Sequence, residues 1–320
     1  MKKDYYSQSI LCVIILVMRF RIYKSINNIY TAKSLDDDKI YTCRLKGKVL
    51  KTDVREYNPI AVGDIVIGES YSENEALITE LEERKSYFQR WNIKAELNQT
   101  IAANQDQTAI VLSSFSPPFR PRFVDRAIAS SFGADILLIM NKSDYGLTEE
   151  EFERWKLYND LGYKIIAVSS VDGDGLEDLK KLLKGKTTAF VGQSGVGKST
   201  LINTLTGMEL RTGEVSDKFN RGKHTTNHSV FIERDDYSLI DTPGVREILV
   251  PLEDVSLVQE SFPELKDLDC EFSGCLHRGE RGCKVPGLLS SGAINEDRYY
   301  SYLRILESLE ERKPSYLRKK

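Results

Sequence analysis

Gly192-Gln193-Ser194-Gly195-Val196-Gly197-Lys198-Ser199 satisfies the pattern G-x-x-x-x-G-K-[ST] in full. The apolar residues 189–191 before it predict a strand end, and residues 199–205 predict a helix, the setting that a phosphate-binding loop needs. Glycine at 192, 195 and 197 permits a tight turn whose backbone N–H groups point inward. Together with the helix N-terminus they can hold phosphate oxygens. Lys198 adds a point charge near the β- and γ-phosphates, Ser199 offers a hydroxyl to Mg²⁺, and Thr200 closes the set.

The base is chosen elsewhere. Asn141-Lys142-Ser143-Asp144 is an N-K-x-D element behind the apolar run 136–140. A carboxylate at Asp144 can accept from both N1–H and the exocyclic amine of guanine. Adenine offers neither donor in that arrangement, so a buried Asp144 would reject ATP. By itself N-K-S-D also fits an ordinary surface turn. Two further pieces converge on it. Asp241-Thr242-Pro243-Gly244 follows the predicted strand 237–240, with Asp241 placed to hold Mg²⁺ and the Gly244 N–H to meet the γ-phosphate. Ser169-Ser170 closes the strand 164–168, where a backbone N–H could support guanine O6. All these elements sit at the carboxyl ends of predicted strands, where open α/β sheets place their ligands.

Their order is permuted. An ordinary P-loop GTPase runs phosphate loop, switch threonine, D-x-x-G, N-K-x-D, serine turn; here the last two come first. Permutation is tolerated where the original termini lie close together at the surface. Between the phosphate loop and Asp241 lies Asn220-Arg221-Gly222-Lys223-His224-Thr225-Thr226, the expected first switch. Thr225 or Thr226 would complete the Mg²⁺ shell, and spacing does not say which. Val245 follows Gly244 where Ras-like enzymes carry a water-orienting glutamine, which predicts slow intrinsic hydrolysis. His224 is the candidate substitute, its alternative being an exposed loop histidine.

A second site comes from cysteine spacing. The chain has five cysteines and three histidines. Cys270, Cys275, His277 and Cys283 form C-x4-C-x-H-x5-C, a set that can close a tetrahedral structural zinc site. Arg278, Arg281 and Lys284 interleave with the ligands and present positive charge. A disulfide fits less well, because Cys12 and Cys43 are scattered.

The rest of the chain is read around these sites. At 320 residues with net charge −3, 29 % charged and 41 % hydrophobic, it has an ordinary soluble composition with no charge signature of nucleic-acid binding. Its length predicts two or three domains. The apolar run 10–18 is too short to span a bilayer and lacks a cleavage site, so residues 1–17 read as a dispensable extension, with Met18 as a candidate start. Strands are predicted over 40–45, 47–50, 64–67 and 75–81, suggesting a small barrel such as an OB-fold. Helices are predicted over 121–132, ended by Gly133, and over 175–183. A capping box at Thr148-Glu149-Glu150-Glu151 opens another, with Phe152, Trp155 and Tyr158 facing the sheet. Residues 295–312 read as an amphipathic helix carrying Tyr299, Tyr302, Leu303, Leu306 and Leu309, and 313–320 as a basic tail.

The combination of a small β-barrel, N-K-x-D, G-x-x-x-x-G-K-S, R-G-x-H-T-T, D-T-P-G and C-x4-C-x-H-x5-C resembles the ribosome small subunit-dependent GTPase A family, over residues 20–311. Departures are Asn227 after Thr226, Ser-Ser in place of Ser-Ala at 169–170, and residues 1–17. The resemblance implies a multidomain α/β protein: an extension (1–20), an N-terminal OB-fold (21–90), a circularly permuted GTPase domain (91–250) and a C-terminal zinc-binding helical domain (251–320). It implies a GTPase that binds the small (30S) ribosomal subunit and its 16S rRNA late in assembly. The subunit stimulates hydrolysis, Mg²⁺ accompanies GTP or GDP, and one Zn²⁺ is structural. Expected besides are a monomer, a cytoplasmic location and no stable membrane association. Two alternatives stand beside this: a GTP-dependent switch for a protein or membrane partner, and an RNA-binding scaffold with structural nucleotide.

Overall fold

The computed structural model describes residues 16–47, 56–208, 228–251 and 255–312. Strands β1 (Leu16–Ile26), β2 (Ile29–Ser34), β3 (Ile40–Leu45), β4 (Ile65–Ser72) and β5 (Glu75–Leu81) run in the order β1-β2-β3-β5-β4, and a β1–β4 pairing closes them into a barrel. Only the β3–β5 pair is parallel within this barrel. Alternation sets its core: Met18, Phe20 and Ile22 on β1, Tyr30 and Ala32 on β2, and Tyr41 and Cys43 on β3 all point inward. The five-stranded closed topology is that of the predicted OB-fold.

Then follow β6 (Tyr87–Asn92), β7 (Leu97–Ala103), β8 (Gln107–Ser113), α1 (Pro121–Ile128), β9 (Ser131–Phe132), β10 (Asp135–Asn141), α2 (Glu149–Asp160) and β11 (Lys164–Ala167). The remainder is α3 (Leu176–Leu183), β12 (Thr187–Gly192), α4 (Lys198–Thr206), β13 (Val230–Glu233), β14 (Ser238–Asp241), α5 (Val255–Glu260), α6 (Val285–Ser290) and α7 (Glu296–Arg312). The order β11-β10-β8-β12-β14-β13 forms the nucleotide-type sheet, parallel except for β13. β8, at its centre, is buried at every position, as a strand covered on both faces must be. Phe123, Val124, Trp155 and Tyr158 of α1 and α2 pack on one face; Leu179, Leu183, Leu201 and Leu205 of α3 and α4 pack on the other.

The barrel joins this sheet through β13. Lys24 of β1 pairs with Val230 antiparallel, so one 11-stranded sheet runs through both. Glu233 accepts from Tyr23 Oη and Lys33 Nζ at 2.7 Å each, and Tyr23 packs on Phe231. A smaller sheet, β7-β6-β9, is separate in its pairing but packs Phe88, Ile101 and Ala102 into the same core as β8, β10 and β12.

Several expectations change. β1 begins at Leu16 and pairs with β4 from Ser70 onward, so residues 16–20 belong to the barrel rather than to an extension over 1–20. A start at Met18 would remove the β4 partners of Ser70 and Glu69. The barrel closes at Leu81, and residues 87–92 pair with β7 and β9 instead of ending the OB-fold at 90. The helix predicted over 121–132 stops at Ile128, because Ser131 and Phe132 pair with Phe88 and Tyr87, whose ring stacks on Phe132 at 4.8 Å. Gly133 therefore follows a strand, not a helix. The Thr148 capping box is present, and Trp155 and Tyr158 are buried. Phe152, a turn earlier, stays exposed and lines a cavity of about 560 Å³ with Met140 and Leu147. Residues 48–50 of the predicted strand 47–50, together with Cys12 and the tail 313–320, lie outside the described residues.

The C-terminal region has its own core of Val258, Phe262, Leu265, Val285, Ile305, Leu306 and Leu309, into which Ala129 from the end of α1 also packs. At the joint, Arg298 of α7 is buried. Its guanidinium donates to Asp125 of α1 at 2.7 Å and to Glu264, and lies 4.8 Å from the Phe262 ring centroid. Burial lowers the basicity of Arg298, but Asp125 and Glu264 outweigh it and hold the group above its ordinary range.

Candidate nucleotide and metal sites

The phosphate loop leaves β12 at Gly192 and enters α4 at Lys198, with Gly195 and Gly197 at φ +89° and +85°. Gly197 is required twice over. Its φ disfavours a side chain, and a Cβ there would lie 2.4 Å from Asn141 Nδ2. That contact reflects the closeness of two loops 55 residues apart in sequence. Asn141 Nδ2 donates to the Val196 carbonyl at 3.0 Å, and Lys142 Nζ donates to the Gly195 carbonyl at 2.9 Å and to that of Ser116. Burial lowers Lys142 below its ordinary 10.5, while Asp144 acts the other way.

The serine turn is laced to the same node. Ser170 Oγ donates to Asn141 Oδ1 at 2.8 Å. The Ser169 N–H is already given to the Asp174 carbonyl at 3.0 Å, which leaves Ser170 as the candidate backbone donor to a base. Asp144 itself is exposed, not buried as the argument against adenine assumed. Its carboxylate is open to solvent, so any base paired there would itself have to exclude water before discrimination became strong.

At the phosphate end Lys198 and Asp241 are 5 % and 2 % exposed and form an ion pair. At this depth the ammonium and the carboxylate each neutralise the other's charge. Thr242 Oγ1 donates to the Phe190 carbonyl at 2.7 Å, and the Val245 N–H to that of Gly192 at 3.2 Å. A Cβ on Gly244 would sit 3.2 Å from Ser194 Cα, so the D-T-P-G segment lies flat on the phosphate loop. The Val245 side chain is buried in the core with Ile248, consistent with a packing residue. Beyond it, Arg126 of α1 pairs with Glu247 at 2.5 Å, along a cleft of about 780 Å³ lined also by Gln193 and Arg246. Ser199 is half-buried and Thr200 exposed. His224, Thr225 and Thr226 lie outside the described residues.

Cys270, Cys275, His277 and Cys283 bring their ligand atoms within 4.8 Å of one another. His277 Nδ1 is 3.6 Å from the sulfurs of Cys270 and Cys283. Its Nε2 lies 3.0 Å from the Leu265 carbonyl and 2.8 Å from the Gln259 side-chain amide. With the proton on Nε2 given to Leu265, the Nδ1 lone pair is left for a metal. Tyr299 and Tyr302 of α7 donate to the His277 and Leu276 carbonyls at 2.7 and 2.8 Å, clamping the knuckle. Burial pushes the Cys275 thiol up to about 12. Three thiols and an oriented imidazole in this compass fit a tetrahedral thiolate-preferring ion.

The family model of the RsgA GTPase matches residues 81–251. This chain belongs to the RsgA GTPase family. It is 37 % identical over 298 residues to the small ribosomal subunit biogenesis GTPase RsgA of Borreliella burgdorferi (strain B31), covering 91 % of this chain and 96 % of that one. It is likewise 37 % identical over 307 residues to RsgA 2 of Bacteroides thetaiotaomicron, covering 92 % and 98 %. Among solved structures, YjeQ from Thermotoga maritima superposes with a TM-score of 0.70 at 25 % identity, covering 93 % of this chain and all of that one. YloQ, a circularly permuted GTPase, gives 0.67 at 23 % identity over 97 % of this chain and all of its own, a likeness of fold. The chain is thus a family GTPase with a barrel at one end and a metal-competent Cys/His cluster at the other.

Sequence reasoning missed the loop after β8. Ser114 Oγ bonds the Lys142 carbonyl, the Ser116 carbonyl takes the Lys142 ammonium, and Pro117 Cδ would be 3.5 Å from a Cβ on Gly195. Its only signal was position at the carboxyl end of a central strand. The Arg298–Asp125–Glu264 cluster was missed for want of any local pattern.

Proposed function

We propose that this chain hydrolyses GTP in the biogenesis of the small ribosomal subunit, with the subunit stimulating hydrolysis. The observation that carries the reading is the lacing of Asn141 and Lys142 onto residues 195–196, which sets the N-K-x-D turn against the G-x-x-x-x-G-K-S loop. Relatives that span nearly the whole chain are named small ribosomal subunit biogenesis GTPases, which supports the ribosomal part.

In this reading residues 192–200 hold the phosphates, and Asn141, Lys142, Ser143 and Asp144 with Ser169-Ser170 hold the base. Lys198 releases Asp241 for the β- and γ-phosphates, and the Gly244 N–H meets the γ-phosphate. Ser199 and Asp241, with Thr225 or Thr226, would hold Mg²⁺, which supplies charge neutralisation at the phosphate oxygens. His224 would orient the attacking water. Cys270, Cys275, His277 and Cys283 would hold zinc, whose contribution is structural. The domains are a barrel from residue 16, a GTPase unit to about 250 and a zinc-binding unit beyond it. Partner contact with 16S rRNA is assigned to basic surface such as exposed Arg281 and Lys284 of the knuckle. Among the described residues no helix is long and apolar enough to cross a membrane. A monomer acting in the cytoplasm fits this role.

The test is GTP turnover by the full chain with and without purified small subunits, alongside an Asp144→Asn variant offered xanthosine triphosphate. Subunits should raise turnover, and the variant should exchange GTP for xanthosine triphosphate. Turnover indifferent to subunits removes the ribosomal role; a variant that keeps its GTP preference removes Asp144 as selector.

A further inference from the structure

Two aromatic side chains that belong to none of the motifs meet at the base end of the pocket. Phe115 follows β8 by two residues, and Tyr145 directly follows Asp144. Their ring centroids are 4.5 Å apart and their planes 7° from parallel. Both are 60 % exposed, so the pair keeps its outer faces open to water instead of filling a core. The loops that carry them are fixed to each other and to the phosphate loop through one residue. Lys142 accepts from Ser114 and donates to Ser116, the two neighbours of Phe115, and also donates to Gly195 at 2.9 Å. The Phe115 N–H is further tied to Ser113 Oγ at 3.2 Å. The pair is therefore a built feature, placed beside the carboxylate that reads the edge of a base.

Resting on the guanine-nucleotide reading above, we propose that Phe115 and Tyr145 form a stacking platform for the purine ring of the bound nucleotide, the base adding to one outer face of the pair. The chemistry divides the work. Every base has a π-face, so stacking contributes affinity without choosing among purines. The edge hydrogen bonds to Asp144 choose guanine. An exposed Asp144 makes the platform useful, because a stacked base shields the carboxylate from water on arrival.

The experiment is calorimetric titration of the full chain with GDP, IDP and inorganic tripolyphosphate in Mg²⁺, for the wild type and for Phe115→Ala, Phe115→Leu, Tyr145→Ala and Tyr145→Phe. The alanine variant of the ring that meets the base should weaken GDP by roughly 5- to 150-fold and IDP by the same factor, the other alanine variant should weaken both by a smaller factor, and tripolyphosphate, which has no base, should stay within about twofold. Tyr145→Phe should keep wild-type affinity, and Phe115→Leu, which preserves bulk but no ring, should behave as Phe115→Ala. GDP affinity unchanged in the alanine variants overturns the proposal. So does a loss that changes the GDP-to-IDP ratio or extends to tripolyphosphate, since the rings would then only brace the loops. A wild-type chain that binds no GDP refutes instead the guanine-nucleotide reading itself.

Discussion

Asn141 is where the two ends of the pocket are tied, so its removal offers a quantitative test. The side chain is 1 % exposed and makes two bonds: Nδ2 to the Val196 carbonyl at 3.0 Å and Oδ1 from Ser170 Oγ at 2.8 Å. Asn141→Ala orphans a buried carbonyl, which costs about 1–3 kcal/mol, and loses a second bond worth about 1 kcal/mol because the half-buried Ser170 hydroxyl can turn to water. The sum is about 2–4 kcal/mol. If binding must re-dock the loops, GDP affinity falls by roughly 30- to 1000-fold. Asn141→Asp sets an oxygen against the Val196 carbonyl and should be at least as damaging, whereas Ser170→Ala loses only the cheaper bond and should cost under about tenfold. Calorimetric titration with GDP, paired with thermal melts, measures all three. If Asn141→Ala binds within twofold of wild type, or Ser170→Ala is as harmful, the lacing does not organise the pocket.

Three other outcomes follow from the geometry. Arg298→Met should destabilise the chain by about 3–5 kcal/mol in urea unfolding, because Asp125 and Glu264 are left buried without their cation; adding Asp125→Asn and Glu264→Gln should recover much of that. The purified chain should carry one zinc by atomic absorption, and Cys283→Ser should lower that content and loosen the knuckle beneath Tyr299 and Tyr302, read as lost near-ultraviolet dichroism. Glu233 is held below its ordinary 4.5 by the Lys33 hydrogen bond, against burial, with Tyr23 assisting. Its contribution is therefore present above about pH 4.5 and lost as pH falls through the lower folded value. The stability gap between wild type and Glu233→Gln should be below about 1 kcal/mol at neutral pH and vanish in acid; a gap that grows on acidification contradicts the assignment.

Local pattern served where chemistry is local. The phosphate loop, the Thr148 capping box and the strand at 75–81 were legible because each is specified by residues within one turn or one strand. Helix α1 was overextended because nothing at 129–132 announces that Ser131 and Phe132 will pair with a strand more than 40 residues earlier. Phe152 was misplaced for a related reason: helical spacing gives the face of a helix but not how far its first turn overhangs the sheet.

Which chemistries are present can be read from the residues in order, since glycine, lysine, aspartate and cysteine at fixed short spacings admit few uses. The permuted order, too, is a property of the text. It took the folded chain to show that Asn141 reaches Val196, that Asp144 stands open to solvent beside two stacked rings, and that Arg298 locks the last helix to the first. Those facts depend on contacts between residues tens to hundreds of positions apart. Strand pairing and burial set such contacts, and no short window of sequence encodes them.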